Sequence, residues 1–242
     1  MVALRPTLGR SIANRDRLIF ALDVPDLAGA QRLVERLADA VVFYKIGLEL
    51  ATSPHYFPLL DWLIGHDKKV FTDLKLYDIP ATVSAAVRQL SKSGASFLTV
   101  HGDRAIMEAA AQSKGDELKV LVVTVLTSIA PRDLAEMGIG LAIEELVTLR
   151  ARQAVAAGCD GVIASGLEAP ALRKTLGARA LIVTPGIRPA DGERGDQRRV
   201  VTPTQALEGG ADYLVVGRPI RDATDPYGTA VAIQEEIARA CG

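Results

Sequence analysis

The stretch Leu18-Ile19-Phe20-Ala21-Leu22-Asp23-Val24-Pro25-Asp26 decides how the chain is read. Its five apolar residues have strand character and stop at Asp23, and the segment 26–40 that follows repeats apolar positions at three- and four-residue steps. An open, doubly wound sheet built for dinucleotides would carry Gly-x-Gly-x-x-Gly at this turn, where Asp23-Val24-Pro25-Asp26 stands instead. The same alternation continues outward. Strand-like runs recur at 42–46, 70–74, 97–100, 120–126, 161–164, 180–184 and 213–216, with helical patterns such as 80–93 and 141–157 between them. With 18–22 these make eight strands spaced roughly thirty residues apart, the rhythm of a (β/α)8 TIM barrel of about 250 residues. That barrel is the predicted fold, and its chemistry is expected at the C-terminal ends of the strands.

Composition sets the outer limits. The 242 residues are 49% hydrophobic and 24% charged, and no Ser/Gly-rich linker divides them. One barrel domain over 18–242, preceded by an arm over 1–17, is the expected organisation. The arm carries Arg5, Arg10, Arg15 and Arg17 but no apolar stretch of signal-peptide length, and it reads as a loosely ordered lead-in. A formal net charge of -1 offers no global basic field, so neither a nucleic-acid partner nor a membrane is expected. Cys159 and Cys241 stand outside any disulfide or zinc spacing, and His55, His66 and His101 show no ligand spacing either. The expectation is a cytoplasmic protein with no metal.

Asp23, Lys45, Asp73 and Lys75 each fall at or beside the end of a predicted strand. Asp73 and Lys75 are two apart, so the period-two alternation of a strand would put both on one face. Asp78 follows on the loop into a helix that Pro80 opens. Such charges can simply neutralise one another in an ion-pair network. Gathered at one barrel mouth, two ammoniums alternating with two carboxylates can also deliver a proton and stabilise developing negative charge.

A second constellation suits phosphate. The segment 185–199 is a long polar loop with three glycines and four arginines, among them Arg188, and it contains Gln197. The last strand runs into Gly217-Arg218-Pro219, where glycine permits close backbone approach and arginine supplies a fork of donors. Barrels often bind phosphate between the loops after strands seven and eight. Thr127 and Ser128, after the fifth strand, offer hydroxyls that could read a polar ring.

Asp73-x-Lys75-x-x-Asp78-Ile79-Pro80-x-Thr82 resembles the signature of the orotidine 5′-monophosphate decarboxylase family. Phe20-Ala21-Leu22-Asp23, Tyr44-Lys45-Ile46-Gly47, the run 123–128, the run 183–188, Gly195-Asp196-Gln197-Arg198-Arg199 and Val216-Gly217-Arg218-Pro219 are similar to that family's blocks in the same order. The resemblance implies cofactor-free conversion of orotidylate to UMP and carbon dioxide by a homodimer with shared active sites. It implies that Lys75 protonates C6, Asp73 faces the substrate carboxylate, and Lys45 and Asp78 complete the array. Asp23 and Lys45 are then expected at the ribose, Thr127 and Ser128 at the pyrimidine, and Arg188, Gln197, Gly217 and Arg218 at the phosphate, with Asp78 and Thr82 supplied by the partner subunit. A sister group of metal-dependent barrels, the 3-keto-gulonate-phosphate decarboxylases and hexulose-phosphate synthases, shares Asp-x-Lys-x-x-Asp but places a metal-binding glutamate where this chain has Lys45. An ammonium cannot ligate a cation.

Overall fold

The computed structural model describes residues 12–188 and 200–242. Among them, eight parallel strands close into a barrel in chain order: β1 (Leu18–Ala21), β2 (Phe43–Ile46), β3 (Lys69–Leu76), β4 (Phe97–Val100), β5 (Lys119–Val123), β6 (Gly161–Ile163), β7 (Leu181–Thr184) and β8 (Tyr213–Val216). β1 pairs with both β2 and β8, which completes the ring. The main covering helices are α1 (Leu27–Leu37), α2 (Tyr56–Gly65), α3 (Pro80–Leu90), α4 (Arg104–Ser113), α5 (Ile143–Ala156), α6 (Ala169–Leu176), α7 (Pro203–Glu208) and α8 (Pro226–Cys241). The fold is the expected (β/α)8 barrel.

Each strand is buried on both faces, which is why the strands read as continuous apolar runs rather than alternating ones. Ile19, Phe43, Phe71, Phe97, Leu121 and Leu181 point inward and fill the barrel. Leu18, Phe20, Tyr44, Val70 and Leu98 point outward into the layer beneath the helices. Inside, the Phe97 ring meets Phe43 at 4.9 Å and Tyr213 at 5.0 Å, both edge to face. Such pairs contribute about 0.5–1.5 kcal/mol each beyond the area they bury. Gly161 is fixed by packing: a Cβ there would lie 2.1 Å from the Leu181 carbonyl oxygen, so β6 and β7 can pair only without a side chain. The turn after β1 is stopped by Asp26, whose carboxylate accepts the Gly29 N–H at 2.7 Å and caps α1.

Boundaries differ from expectation in two places that bear on the site. β5 ends at Val123, one residue before Thr124, whose N–H still donates to the Ile163 carbonyl at 3.2 Å, so the expected strand stops short of 125–126, whereas β3 continues to Leu76. Residues 12–17, expected to belong to a loose arm, pack onto the barrel floor. Ile12 lies against the inner core, Asp16 pairs with Lys69 at 2.7 Å, and the Leu214 N–H donates to the Arg17 carbonyl at 2.8 Å. No helix of the described residues is long and apolar enough to cross a membrane.

Both cysteines are free, in unlike settings. Cys159 is buried, and burial followed by the nearby Asp160 charge pushes its thiol up to about 12, while Cys241 is exposed. A thiol reagent at neutral pH should therefore label Cys241 at once and Cys159 only as the protein unfolds. Rapid labelling of both in native protein, read by intact mass, would contradict this packing.

Candidate active site

The parallel register builds the site. Ala21 pairs with Lys45, and Lys45 with Phe71, so the C-terminal ends of β1, β2 and β3 stand side by side. The Leu22 N–H donates to the Lys45 carbonyl at 3.0 Å and carries the ladder one step past β1, setting Asp23 beside the Lys45 side chain. Lys45 Nζ then lies 3.2 Å from Asp23 and 3.6 Å from Asp73, and Lys75 Nζ lies 2.9 Å from the other oxygen of Asp73. The order Asp23, Lys45, Asp73, Lys75 alternates in sign along one wall.

Regular alternation is not what brings Asp73 and Lys75 together. Thr72 pairs with Leu98 and Leu76 with Val100, so residues 73–75 face the single residue Thr99, and β3 bulges. Lys75 takes φ +50, a left-handed conformation that costs a residue with a Cβ about 1–2 kcal/mol. The Thr99 hydroxyl holds the bulge: it accepts the Lys75 N–H at 2.9 Å and donates to Asp73 at 2.9 Å. Burial alone would raise the Asp73 carboxyl, but the Lys45 and Lys75 charges, with hydrogen bonds from Lys75 and Thr99, outweigh it and hold the group below its ordinary 3.8. Asp73 is therefore a carboxylate at neutral pH.

Beside the array opens a cavity of about 280 Å³. Lys45, Asp73 and Lys75 form its charged wall, Phe71, Val123 and Val215 its apolar floor, and Thr127 and Ser128 its rim. The early end of β5 delivers that rim, because 125–128 follow outside the strand. Pro185, at the end of β7, also lines it. At the β8 end, a Cβ on Gly217 would stand 3.3 Å from Ala21 Cβ and 3.6 Å from Asp23 Oδ2, so glycine keeps this backbone close to the array. A planar polar ring fits such a pocket, with charge on one side and hydrocarbon beneath.

The model of the orotidine 5′-phosphate decarboxylase / HUMPS family matches residues 16–233. The chain belongs to that family. It is 56% identical over 229 residues to the orotidine 5′-phosphate decarboxylase of Methylococcus capsulatus, covering 94% of this chain and 94% of that protein. To the orotidine 5′-phosphate decarboxylase of Rhodopseudomonas palustris it is 53% identical over 232 residues, covering 96% of this chain and 98% of that one. Among solved structures, the orotidine 5′-phosphate decarboxylase of Lactobacillus acidophilus superposes with a TM-score of 0.81 at 35% identity, over 92% of this chain and 99% of that one.

Not every residue expected from the orotidine 5′-phosphate decarboxylase signature meets the others within one chain. Asp78 is exposed and its carboxylate accepts the N–H of Ile79 at 2.6 Å; Asp23, not Asp78, is the second carboxylate beside Lys45. Thr82 is likewise exposed, on the first turn of α3. Arg188 is buried after β7, its N–H bonded to the Val201 carbonyl and its Nη1 donating to the Ile187 carbonyl. Arg218 opens the short helix Arg218–Arg221. Gln197 lies outside the described residues. Sequence reasoning missed Thr99 and Arg221, whose Nη1 donates to the Asp23 carbonyl at 2.8 Å and steadies that loop. Only Thr99 left a trace, as a hydroxyl two residues from Phe97 on an otherwise apolar strand.

A carboxyl depressed in the folded state adds stability above its unfolded pKa and loses it as pH falls through the folded value. Denaturant unfolding of wild type and Asp73→Asn should thus differ by a constant amount from about pH 8 to about pH 5, and the gap should close below about pH 4. A gap that widens on acidification would show that Asp73 is not a paired carboxylate.

Proposed function

We propose that this chain decarboxylates orotidine 5′-monophosphate to UMP in pyrimidine biosynthesis, without metal or organic cofactor. The observation that carries the reading is the Asp23, Lys45, Asp73, Lys75 array on the wall of an apolar cavity at the strand ends. Loss of carbon dioxide breaks the C6–carboxylate bond and leaves its electron pair on C6, in the ring plane and out of conjugation. Electrostatics must then carry the step, and a fixed ammonium stabilises that charge as it forms. Lys75 Nζ transfers a proton to C6 and is reprotonated from solvent. Asp73 faces the departing carboxylate and keeps Lys75 in place; Asp23 and Lys45 hold the ribose, and Thr127 with Ser128 the pyrimidine amide. Arg188, Gln197, Arg218 and the Gly217 amide hold the phosphate, whose remote binding energy supports the chemical step. A reducing cytoplasm suits a chain with the exposed thiol of Cys241.

The metal-dependent branch of the same family is the competing reading. Lys45 argues against it, because its ammonium already bridges the two carboxylates that a divalent cation would need. Ultraviolet absorbance should report orotidylate consumption that is unchanged after EDTA treatment. Lys75→Ala should nearly abolish turnover while UMP still binds, since the lysine acts in the transition state. Activity lost to EDTA and restored by Mg²⁺ would move the assignment to the other branch, and a Lys75→Ala enzyme with most of its kcat would remove the proton donor.

Asp78 and Thr82 belong, in this proposal, to the active site of a second copy. Both are exposed, next to Tyr77 and Ile79, which are 71% and 66% exposed and form an apolar patch that a partner would cover. Lys75→Ala and Asp78→Asn should each be nearly inactive as homodimers. Refolded together, they form mixed dimers in which one site collects both defects and the other neither, so activity should reappear at about a quarter of all sites. Verified mixed dimers without recovery would put Asp78 in its own subunit's site.

A further inference from the structure

We infer that Thr99 is a positioning residue for the decarboxylation, its one hydroxyl fixing the Asp73 carboxylate and the Lys75 backbone together. The inference rests on the decarboxylase reading of the site. Thr99 has no exposed surface and stands on the inner face of β4, two residues beyond Phe97 of the barrel filling. Its Oγ1 carries one proton and free lone pairs, so it can donate and accept at once. Both capacities are used, the proton toward Asp73 Oδ1 at 2.9 Å and a lone pair by the Lys75 N–H at 2.9 Å.

The partition of the Asp73 oxygens follows from this. Oδ1 receives the Thr99 hydroxyl and the Lys75 ammonium, which leaves Oδ2 turned toward Lys45 at 3.6 Å. The carboxylate plane, and with it the spacing of the two ammoniums, is set by a neutral group that carries no charge into the array. The same oxygen also anchors the left-handed turn at Lys75, the only residue of β3 with positive φ among those described. Because the cavity is lined by Lys45, Asp73 and Lys75 but not by Thr99, the hydroxyl acts through its neighbours rather than on substrate. Loss of that one group releases the carboxylate and the turn together. In a preorganised site a displacement of about 1 Å can cost on the order of 10²-fold in rate.

Thr99→Val keeps the shape and removes the hydroxyl, Thr99→Ala removes it without a branched side chain, and Thr99→Ser keeps it. The hydroxyl-free variants should lose on the order of 10²-fold in kcat with little change in KM for orotidylate, while the serine variant stays near wild type. A hydroxyl-free variant with wild-type kcat, a loss carried by KM instead, or a serine variant as slow as the valine one would each overturn the inference. Crystal structures of wild type and a hydroxyl-free variant give a readout that needs no turnover. The 2.9 Å contact between Lys75 and Asp73 should open, or Lys75 should leave its left-handed conformation. If both survive the loss of the hydroxyl, Thr99 does not position them. Absence of orotidylate turnover by the wild-type chain would count against the decarboxylase reading alone and leave this structural test standing.

Discussion

Lys45 holds Asp23 on one side and Asp73 on the other, with only 11% of its side chain exposed. Taking an ammonium that far out of water costs several kcal/mol, and the cost is offset only if both carboxylates arrive in register. They come from the strands that flank β2, so the pairing of Ala21 with Lys45 and of Lys45 with Phe71 serves sheet and site alike. A one-residue slip of β2 would turn Lys45 outward into the apolar layer beneath the helices and leave two carboxylates unpaired. Correct closure of the barrel and correct assembly of the charges are thus one condition.

The array could not be built from regular strands. A regular β3 would set one residue against Thr99, whereas three residues, 73–75, stand there. The extra length lets Lys75 turn back onto Asp73 while Leu76 rejoins β4 beside Val100. The left-handed conformation at Lys75 is tolerated because hydrogen bonds on both sides fix it: Thr99 holds its amide, and the His101 N–H donates to the Leu76 carbonyl at 3.0 Å. Strain is placed where a charged side chain must be aimed.

The eight strands and their helices were legible because burial on both faces imposes unbroken apolar runs, and the first turn lacked the glycines of the competing fold. Four of the charged and polar rim positions could be chosen by a simple rule, that chemistry gathers at strand ends. The bulge was not legible: Asp73-Leu74-Lys75-Leu76 has the alternation of an ordinary strand, and nothing local marks a left-handed lysine. Thr99 left only a hydroxyl on an apolar strand as its trace, and a threonine in a strand is unremarkable until its two partners are known. Arg221 ends the short helix Arg218–Arg221 that follows β8 and reaches Asp23 across 198 positions, a contact no pattern in the sequence encodes. The placement of Asp78 on an exposed loop follows from where β3 ends, two residues beyond the expected boundary.

One side chain decides which chemistry this mouth can host. Asp23 and Asp73 converge on position 45 from either side, so a carboxylate there would gather three negative charges within a few ångströms. Such a cluster could ionise fully only around a divalent cation, and its chemistry would be that of the cation. With lysine, the same two carboxylates are bridged by a group with three donors and no acceptor. The next ammonium along, that of Lys75, is held among the described residues by Asp73 and stands 31% exposed at the cavity wall. An array that ends on a lysine presents an ammonium to the cavity, the group that the proposed mechanism needs there. One that ends on a bound metal is disposed to polarise an oxygen.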